Sequence, residues 1–367
     1  MKILYDHQTF STFHFYSGIS HYFYELMNQF SKDKEIEFEL SLLFSNNKYL
    51  EKANFVKIRP FFKEINNKHM YKLISVINRQ QSKKKLSEQT YHIFHPTYYH
   101  PYFLNFLEYK PYVLTVFDMI HEKYFKMFPN KDKTIKFKKL LIAQASKIIA
   151  ISENTKKDII EFYNIDEDRI KVIYLANSLV KPGNINTYIT LPKKYLLYVG
   201  GRKVYKNFEF FIKVVSSLMK TDDELHIICA GIHPFSAIEL SLFKELNVDN
   251  KIFHYNVSDE MLYYLYENAI AFVLPSLYEG FGIPILESFA CGCPAVVSNT
   301  SSLPEVGGDA AAYFDPLSEA SLKETLSKTI YNDDYRNTLK IKGYQQLEKF
   351  SWKKTAEETK KLYINII

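Results

Sequence analysis

The stretch Leu274–Pro294, LPSLYEGFGIPILESFACGCP, decides how this chain reads. The apolar, branched run Ile270–Leu274 (IAFVL) stops at Pro275, the pattern of a strand buried on both faces of a parallel sheet. Pro284 stands where a first helical position should be and Gly292 lies just past Ile285–Cys291, the usual order of proline at a helix start and glycine at its end. The expectation is a two-turn helix whose N-terminus lies beside a strand end. In an open α/β sheet that is where ligands bind, and the N–H groups and positive dipole end there favour an anion such as a diphosphate. Gly280 and Gly282 have no Cβ, so the Gly280-Phe281-Gly282-Ile283 backbone can approach a ligand closely. Glu287 is expected in the first turn of the helix, where a carboxylate can hold two vicinal hydroxyls, as in ribose recognition. Glu279 precedes the turn and suits a second polyol. A lone glutamate on a loop reads as a solvated charge; strand, Glu279, Gly-x-Gly, proline and Glu287 in this order read as a site.

A second anion-binding element is Tyr195–Phe208, YLLYVGGRKVYKNF, where a strand ends at two glycines and Arg202 and Lys206 stand four apart before a helix. Fixed cations suit a leaving diphosphate because they neutralise charge that grows on its oxygen, and arginine does so bidentately. Lys203 reads as a bystander.

The chain has 367 residues, enough for two cores, with 47% hydrophobic and 24% charged residues. No run approaches a membrane span and Met1–Phe10 lacks a signal-peptide core, so the expected location is cytoplasmic. Cys229, Cys291 and Cys293 are an odd set without metal-ligand spacing, and reduced thiols are expected. Net charge is +6, but residues 1–185 hold 28 Lys and Arg against 19 Asp and Glu, while 186–367 hold 19 against 22. Much of the excess is Lys123–Lys147, with eight lysines and the single acid Asp132. Lys131, Lys133, Lys136, Lys138 and Lys139 interleave with apolar residues, so a basic helix lying on an anionic membrane surface, an anionic acceptor and a plain solvated face all remain open. No nucleic-acid module accompanies the lysines.

Strands and helices alternate, which argues α/β with two doubly wound, Rossmann-like parallel sheets. Strand candidates in the first half are Lys2–Tyr5, Glu37–Phe44, Tyr91–Phe94, Val113–Val116, Lys147–Ile151 and Lys171–Tyr174, with helices at Gly18–Phe30 and from a Ser152 cap to about Tyr163. The second half offers Tyr195–Val199, Leu225–Ala230, Lys251–His254, Ile270–Leu274 and Ala295–Ser298. Ala176–Leu191, polar and holding Pro182-Gly183, reads as the linker. The domains expected are 1–182, 183–348 and a terminal helix, 349–367, packing back on the first. Trp352, Ala356, Thr359 and Tyr363 fall on one face of that helix. Ser302-Leu303-Pro304-Glu305 has the spacing of a capping box.

The Glu279-x7-Glu287 stretch, together with Arg202 and Lys206, resembles the signature of retaining, family-4 type (group 1) nucleotide-sugar glycosyltransferases of the GT-B fold, among them bacterial mannosyltransferases of surface-polysaccharide synthesis. The resemblance covers nearly the whole chain and is strongest from Tyr195 to Asp315. It implies two Rossmann-like domains facing across a cleft, a donor held by Gly18, Arg202, Lys206, Gly280, Phe281, Gly282, Ile283 and Glu287, and a base cradled by backbone near Val257. MKILYDHQTF followed by FYSGISHYFYEL looks like the family's first strand and glycine-rich loop, with Ser17 where many relatives have a second glycine and His21 where they have a basic residue. Val113–Phe128 is similar to the acceptor-side loop, with Phe117 where many members have histidine, leaving Asp118 and His121 as its polar candidates. His95 reads as a structural loop histidine. The implied activity is transfer of a sugar, GDP-mannose being the favoured donor, to a glycan or lipid-linked acceptor, with Glu279, Asp118 and His121 as catalytic candidates and neither cofactor nor metal. Alternatives are a sugar-nucleotide epimerase or hydrolase, and a non-catalytic binding subunit of a polysaccharide assembly complex.

Overall fold

The computed structural model describes residues 1–11, 17–51, 53–56, 58, 60, 68–129, 132–183 and 190–367. It divides into two compact units, residues 1–175 with 352–367, and residues 176–351.

In the first unit β1 (Lys2–Tyr5) pairs in parallel with β2 (Glu37–Leu40) on one side and β3 (Ile93–His95) on the other. A parallel bridge between Phe94 and Tyr112 carries the order on to β4 (Val113–Val116), β5 (Lys147–Ala150) and β6 (Ile170–Val172). β4, and β1 after Lys2, are apolar on both faces and buried, as helices on both sides of a parallel sheet require. Ser17 caps the helix Gly18–Phe30 through the Ser20 N–H, and that helix buries Tyr22, Phe23, Leu26 and Met27. Ser152 caps Glu153–Tyr163 through Thr155 N.

The C-terminal helix Trp352–Ile364 completes this unit, burying Trp352, Ala356, Thr359 and Tyr363. The Tyr363 hydroxyl lies 3.0 Å from that of Tyr5 and 2.6 Å from His95 Nδ1, while His95 Nε2 lies 2.9 Å from Thr115 Oγ1. His95 is thus a fully buried strand residue rather than a loop residue, and burial pushes its pKa down to about 3.

The second unit has a single six-stranded parallel sheet. Its strands are β7 (Lys194–Val199), β8 (Leu225–Ala230), β9 (Ile252–Tyr255), β10 (Ala271–Leu274), β11 (Ala295–Ser298) and β12 (Ala311–Phe314), in the order β12-β11-β10-β7-β8-β9. Its core gathers Leu196, Phe211, Val215, Ile227, Val273 and Val296 between the sheet and its helices.

The unit boundaries fall at 175/176 and 351/352, against 182/183 and 348/349 read from the sequence. Part of the expected linker is folded into the second unit: Asn177 and Leu179 exchange two hydrogen bonds, of 2.8 and 2.9 Å, and Lys181 pairs with Glu267. The linker residues 184–189, like Lys131 and the loop residues Phe15 and Tyr16, lie outside the described residues.

Candidate functional site

The strand order of the second unit reverses between β7 and β10, the switch point at which open α/β sheets leave a crevice beyond their strand ends. β7 ends at Val199, and Gly200 then turns with φ +111°. A side chain at Gly231, after β8, would put its Cβ 2.9 Å from the Gly200 carbonyl oxygen, so Gly231 is required by packing, whereas a Cβ at Gly201 would meet nothing within 4 Å. The loop continues through a short 3-10 turn, Val204–Lys206, and its Tyr205 carbonyl accepts from Leu277 N at 2.8 Å, which fastens it to the loop after β10.

That fastening brings two predicted elements together. Lys206 Nζ lies 2.6 Å from Glu279 Oε1, and Ser276 Oγ donates to the same oxygen at 2.6 Å. Glu279 N donates to Ser301 Oγ at 3.0 Å, and Ser302 Oγ lies 2.9 and 2.8 Å from the carbonyl oxygens of Glu279 and Phe281. Ser302 is therefore no capping box: its hydroxyl is drawn to the preceding loop, and no side chain caps Leu303–Gly307. Gly282 opens the helix Ile283–Ala290 at φ +108°, where a Cβ would meet Leu303 Cδ2 at 2.9 Å, and no side chain caps this helix either. Its first turn thus faces the switch point with backbone donors.

Glu287 sits in the second turn, not the first, because the helix begins at Ile283 with Pro284 as its second residue. Its Oε2 accepts from the buried Tyr266 hydroxyl at 3.0 Å, and the nearby charge, after burial, pushes the Tyr266 pKa well up. Arg202 is held differently from the expectation of an available cation. Nε donates to Glu239 Oε1 at 2.5 Å, and Nη2 donates to the carbonyls of His233 and Pro234 at 2.9 and 2.6 Å. Glu239 also accepts from Ser236 N, the cap of Ala237–Glu245, so Arg202 ties the loop after β8 to that helix. Val257 lies just past β9, before Ser258 caps Asp259–Asn268.

Gly18, Asp118 and His121 belong to the first unit. A Cβ at Gly18, the first residue of its helix, would meet nothing within 4 Å. Asp118 Oδ1 accepts from Ile120 N at 3.1 Å, and its carbonyl accepts from Lys138 Nζ at 2.9 Å. Lys138 is fully buried, 2.9 Å from Glu122 Oε2, whose other oxygen accepts from Tyr163 at 2.6 Å. Lys138 is therefore absent from any basic surface, and Lys123 is likewise paired, with Asp158 at 2.7 Å. His121 stacks on Phe128 at 3.9 Å with Nε2 3.4 Å from Asp132, and burial followed by the Lys138 charge lowers its pKa.

Sequence reasoning named Lys206, Glu279 and Glu287 but not Ser276, Ser301, Tyr266 and, for Arg202, Glu239, which fix them, and it named Ser302 only as a helix cap. The hydroxyls carry no sequence signal of their own; only the closeness of Ser301-Ser302 to a strand end offered one.

Residues 187–346 match the family described as Glycosyl transferases group 1, and residues 16–176 match Glycosyltransferase Family 4. Over these two spans the chain is similar to the group 1 glycosyltransferases. Among curated relatives, it is 32% identical over 230 residues to O-antigen chain mannosyltransferase B of Escherichia coli, covering 60% of each chain. It is 31% identical over 191 residues to O-antigen chain mannosyltransferase RfbU of Salmonella typhimurium, covering 51% of this chain and 52% of that one. The matches thus span little more than half the length of these relatives. Among solved structures, sucrose-phosphate synthase from Thermosynechococcus elongatus superposes with a TM-score of 0.77 at 15% identity, covering 100% of this chain and 98% of that one. WaaG, a glycosyltransferase involved in lipopolysaccharide biosynthesis, gives 0.72 at 12% identity and 98% coverage of both. These superpositions show the two-domain, parallel-sheet GT-B fold.

Proposed function

We propose that this protein is a group 1 glycosyltransferase that moves a sugar, with retention of configuration, from a nucleotide-sugar donor to a glycan or lipid-linked acceptor of surface-polysaccharide synthesis. The observation that carries the reading is the Lys206–Glu279 pair, at 2.6 Å on the switch point of the second unit, beside an uncapped helix N-terminus. A donor diphosphate exchanges with the carboxylate for the Lys206 ammonium, and the first-turn N–H groups of Ile283–Ala290 add a fixed positive field. Glu279, released toward the sugar, accepts from its hydroxyls; Glu287 accepts from the ribose; the backbone at Gly280–Ile283 and Val257 lines the donor. Arg202 acts on the diphosphate from its seat against Glu239, as a fixed positive charge and as the support of the Gly231–Ser236 loop.

Retention without a protein nucleophile follows a front-face course. The acceptor oxygen bonds to the anomeric carbon, the bond from that carbon to the diphosphate oxygen breaks, and the acceptor proton passes to the departing phosphate. Positioning and charge stabilisation supply the acceleration, and lysine takes the part a divalent cation plays elsewhere. Asp118 and His121 serve the acceptor side, and the Gly18 backbone serves the donor phosphates. Two of the relatives are O-antigen mannosyltransferases, which favours GDP-mannose as donor. A peripheral, cytoplasmic-face membrane contact through exposed Lys136 and Lys139 fits a lipid-linked acceptor; no helix among the described residues is long and apolar enough to cross a membrane.

The test is incubation with GDP-mannose, UDP-glucose and UDP-N-acetylglucosamine, with and without lipid-linked acceptor, in the presence of EDTA. Nucleotide release that depends on acceptor and survives EDTA supports the reading. Release without acceptor makes the protein a hydrolase, and rescue by magnesium or manganese after EDTA removes metal independence.

A further inference from the structure

The loop that carries Glu279 is gripped by one tight turn. Residues 300–303 follow β11, and Leu303 N donates to the Thr300 carbonyl at 3.2 Å, which closes the turn. Its first central residue, Ser301, has φ +53°, and its second, Ser302, has φ −78° and ψ −7°. Positive φ at the first central position with these angles at the second makes a type II′ turn, whose first central position belongs to glycine. Among the described residues, the others besides glycine with positive φ are Gln89, Glu108 and the asparagines Asn164, Asn207 and Asn247. Asparagine settles in that region readily; serine does so at a cost.

What the serine adds is a contact that glycine cannot make. Ser301 Oγ accepts from Glu279 N at 3.0 Å. Ser302 Oγ stands 2.9 Å from the Glu279 carbonyl oxygen and 2.8 Å from that of Phe281, and Leu303 packs where a Cβ on Gly282 would come within 2.9 Å of its Cδ2. Ser302 and Leu303 are fully buried, as parts of the scaffold are, whereas Ser301 is half-buried. With its N–H and its carbonyl both held, the Glu279 backbone is fixed independently of its side chain, whose Oε1 meets Lys206 Nζ and Ser276 Oγ at 2.6 Å each. Backbone strain of this kind persists where the surroundings over-determine it, and such places cluster at functional sites.

We propose that Ser301 is a positioning residue for the transfer: it takes a strained backbone at a glycine position so that its hydroxyl holds the Glu279 N–H. The proposal rests on the transfer reading, in which a donor diphosphate draws Lys206 away from Glu279. It adds the residue that keeps the carboxylate in place against the donor sugar once that ion pair has opened.

The decisive variant is Ser301→Gly, since glycine suits the turn and removes the hydroxyl contact. Turnover, with whichever of GDP-mannose, UDP-glucose and UDP-N-acetylglucosamine the wild type uses, should fall roughly three- to tenfold, the worth of one hydrogen bond. The loss should lie in kcat rather than in the donor KM. Ser301→Ala keeps the strain and also loses the hydroxyl, so it should turn over as slowly as Ser301→Gly. Its urea midpoint should lie below that of Ser301→Gly, the reverse of the order these two residues give at an ordinary position. In a Glu279→Ala background, Ser301→Gly should change turnover by less than about twofold, because an anchor acts only through what it anchors. Hydrogen exchange of the ligand-free chain, read on residues 277–282, should quicken in Ser301→Gly. Wild-type turnover in Ser301→Gly, an undiminished loss in the Glu279→Ala background, a higher midpoint for Ser301→Ala, or unchanged exchange overturns the proposal. A wild type that turns over none of the three donors strikes the transfer reading instead, and the exchange and urea comparisons, made without ligand, still decide whether Ser301 pays strain to hold Glu279.

Discussion

The two switch points use a carboxylate in opposite ways. In the second unit Glu279 is half-buried and shares one oxygen with Lys206 and Ser276, an arrangement that a charged ligand can exchange. In the first, where the strand order reverses at β1 between β2 and β3, Asp6 is sealed under five donors from the chain itself, while Arg79 has no ion pair among the described residues and its Nε is buried without a hydrogen bond. A saturated carboxylate builds the scaffold; an exchangeable one belongs to the chemistry.

The sharpest way to break that contrast is to remove each carboxylate. Asp6→Ala strands several buried donors, each costing about 1–3 kcal/mol, so the first unit should lose roughly 3 kcal/mol or more of stability, read as a lower midpoint in urea. Glu279→Ala should leave the urea midpoint nearly unchanged and lower turnover by about 1.5–3 kcal/mol of barrier, roughly ten- to hundredfold. If both variants unfold alike, the distinction between scaffold and site falls.

Acid should act on the first unit through His7 and His95, whose pKa values burial depresses to about 4 and about 3. The unfolded chain takes up a proton near pH 6.5 and the folded one does not, so stability is full above that pH and falls as pH drops toward the folded values, by about 1.4 kcal/mol per pH unit for each histidine. Differential scanning calorimetry between pH 7 and 5 should show this loss, and His95→Gln should shrink it; an unchanged slope removes His95 from the account.

Glu287→Ala should weaken nucleotide binding by about tenfold while leaving turnover at saturation closer to wild type, since a lost hydrogen bond to a charged group is worth about 1.5–3 kcal/mol; unchanged affinity ends the ribose assignment. The smallest effect expected is at the membrane. Lys136→Glu/Lys139→Glu, with buried Lys138 left intact, should reduce low-salt sedimentation with anionic vesicles by at most about 1 kcal/mol per lysine, and equal sedimentation of both proteins makes these lysines a plain solvated face.

Period and punctuation made most of the scaffold legible. The strands from Lys2–Tyr5 to Ala295–Ser298, the Ser17 and Ser152 helices, and the loop carrying Glu279 all announce themselves through local signals. The helix Lys68–Ser87 does not, because its pattern is inverted: Asn78 and Ser82 are fully buried in hydrogen bonds while Leu73 and Val76 are half exposed. β12 (AAYF) is short, alanine-rich and too weak a hydrophobic run to stand out. Lys138 misled for a related reason, since a lysine run shows nothing of the buried Glu122 that singles out one member. The Asp6 hub escapes any linear reading because Asp6, Arg79, Thr97 and Tyr102 meet only when β1 and β3 are paired.

The helix Trp352–Ile364 has a consequence for the order of events in synthesis. Tyr5 and His95 find their Tyr363 partner only after the entire intervening unit has been made. The N-terminal sheet therefore leaves the ribosome early but waits, its central strand lacking a buried cover, while residues 176–351 have every contact of their own in hand. On the growing chain the second unit is the first able to finish, and the first unit is the one whose unfinished surface is open to a chaperone.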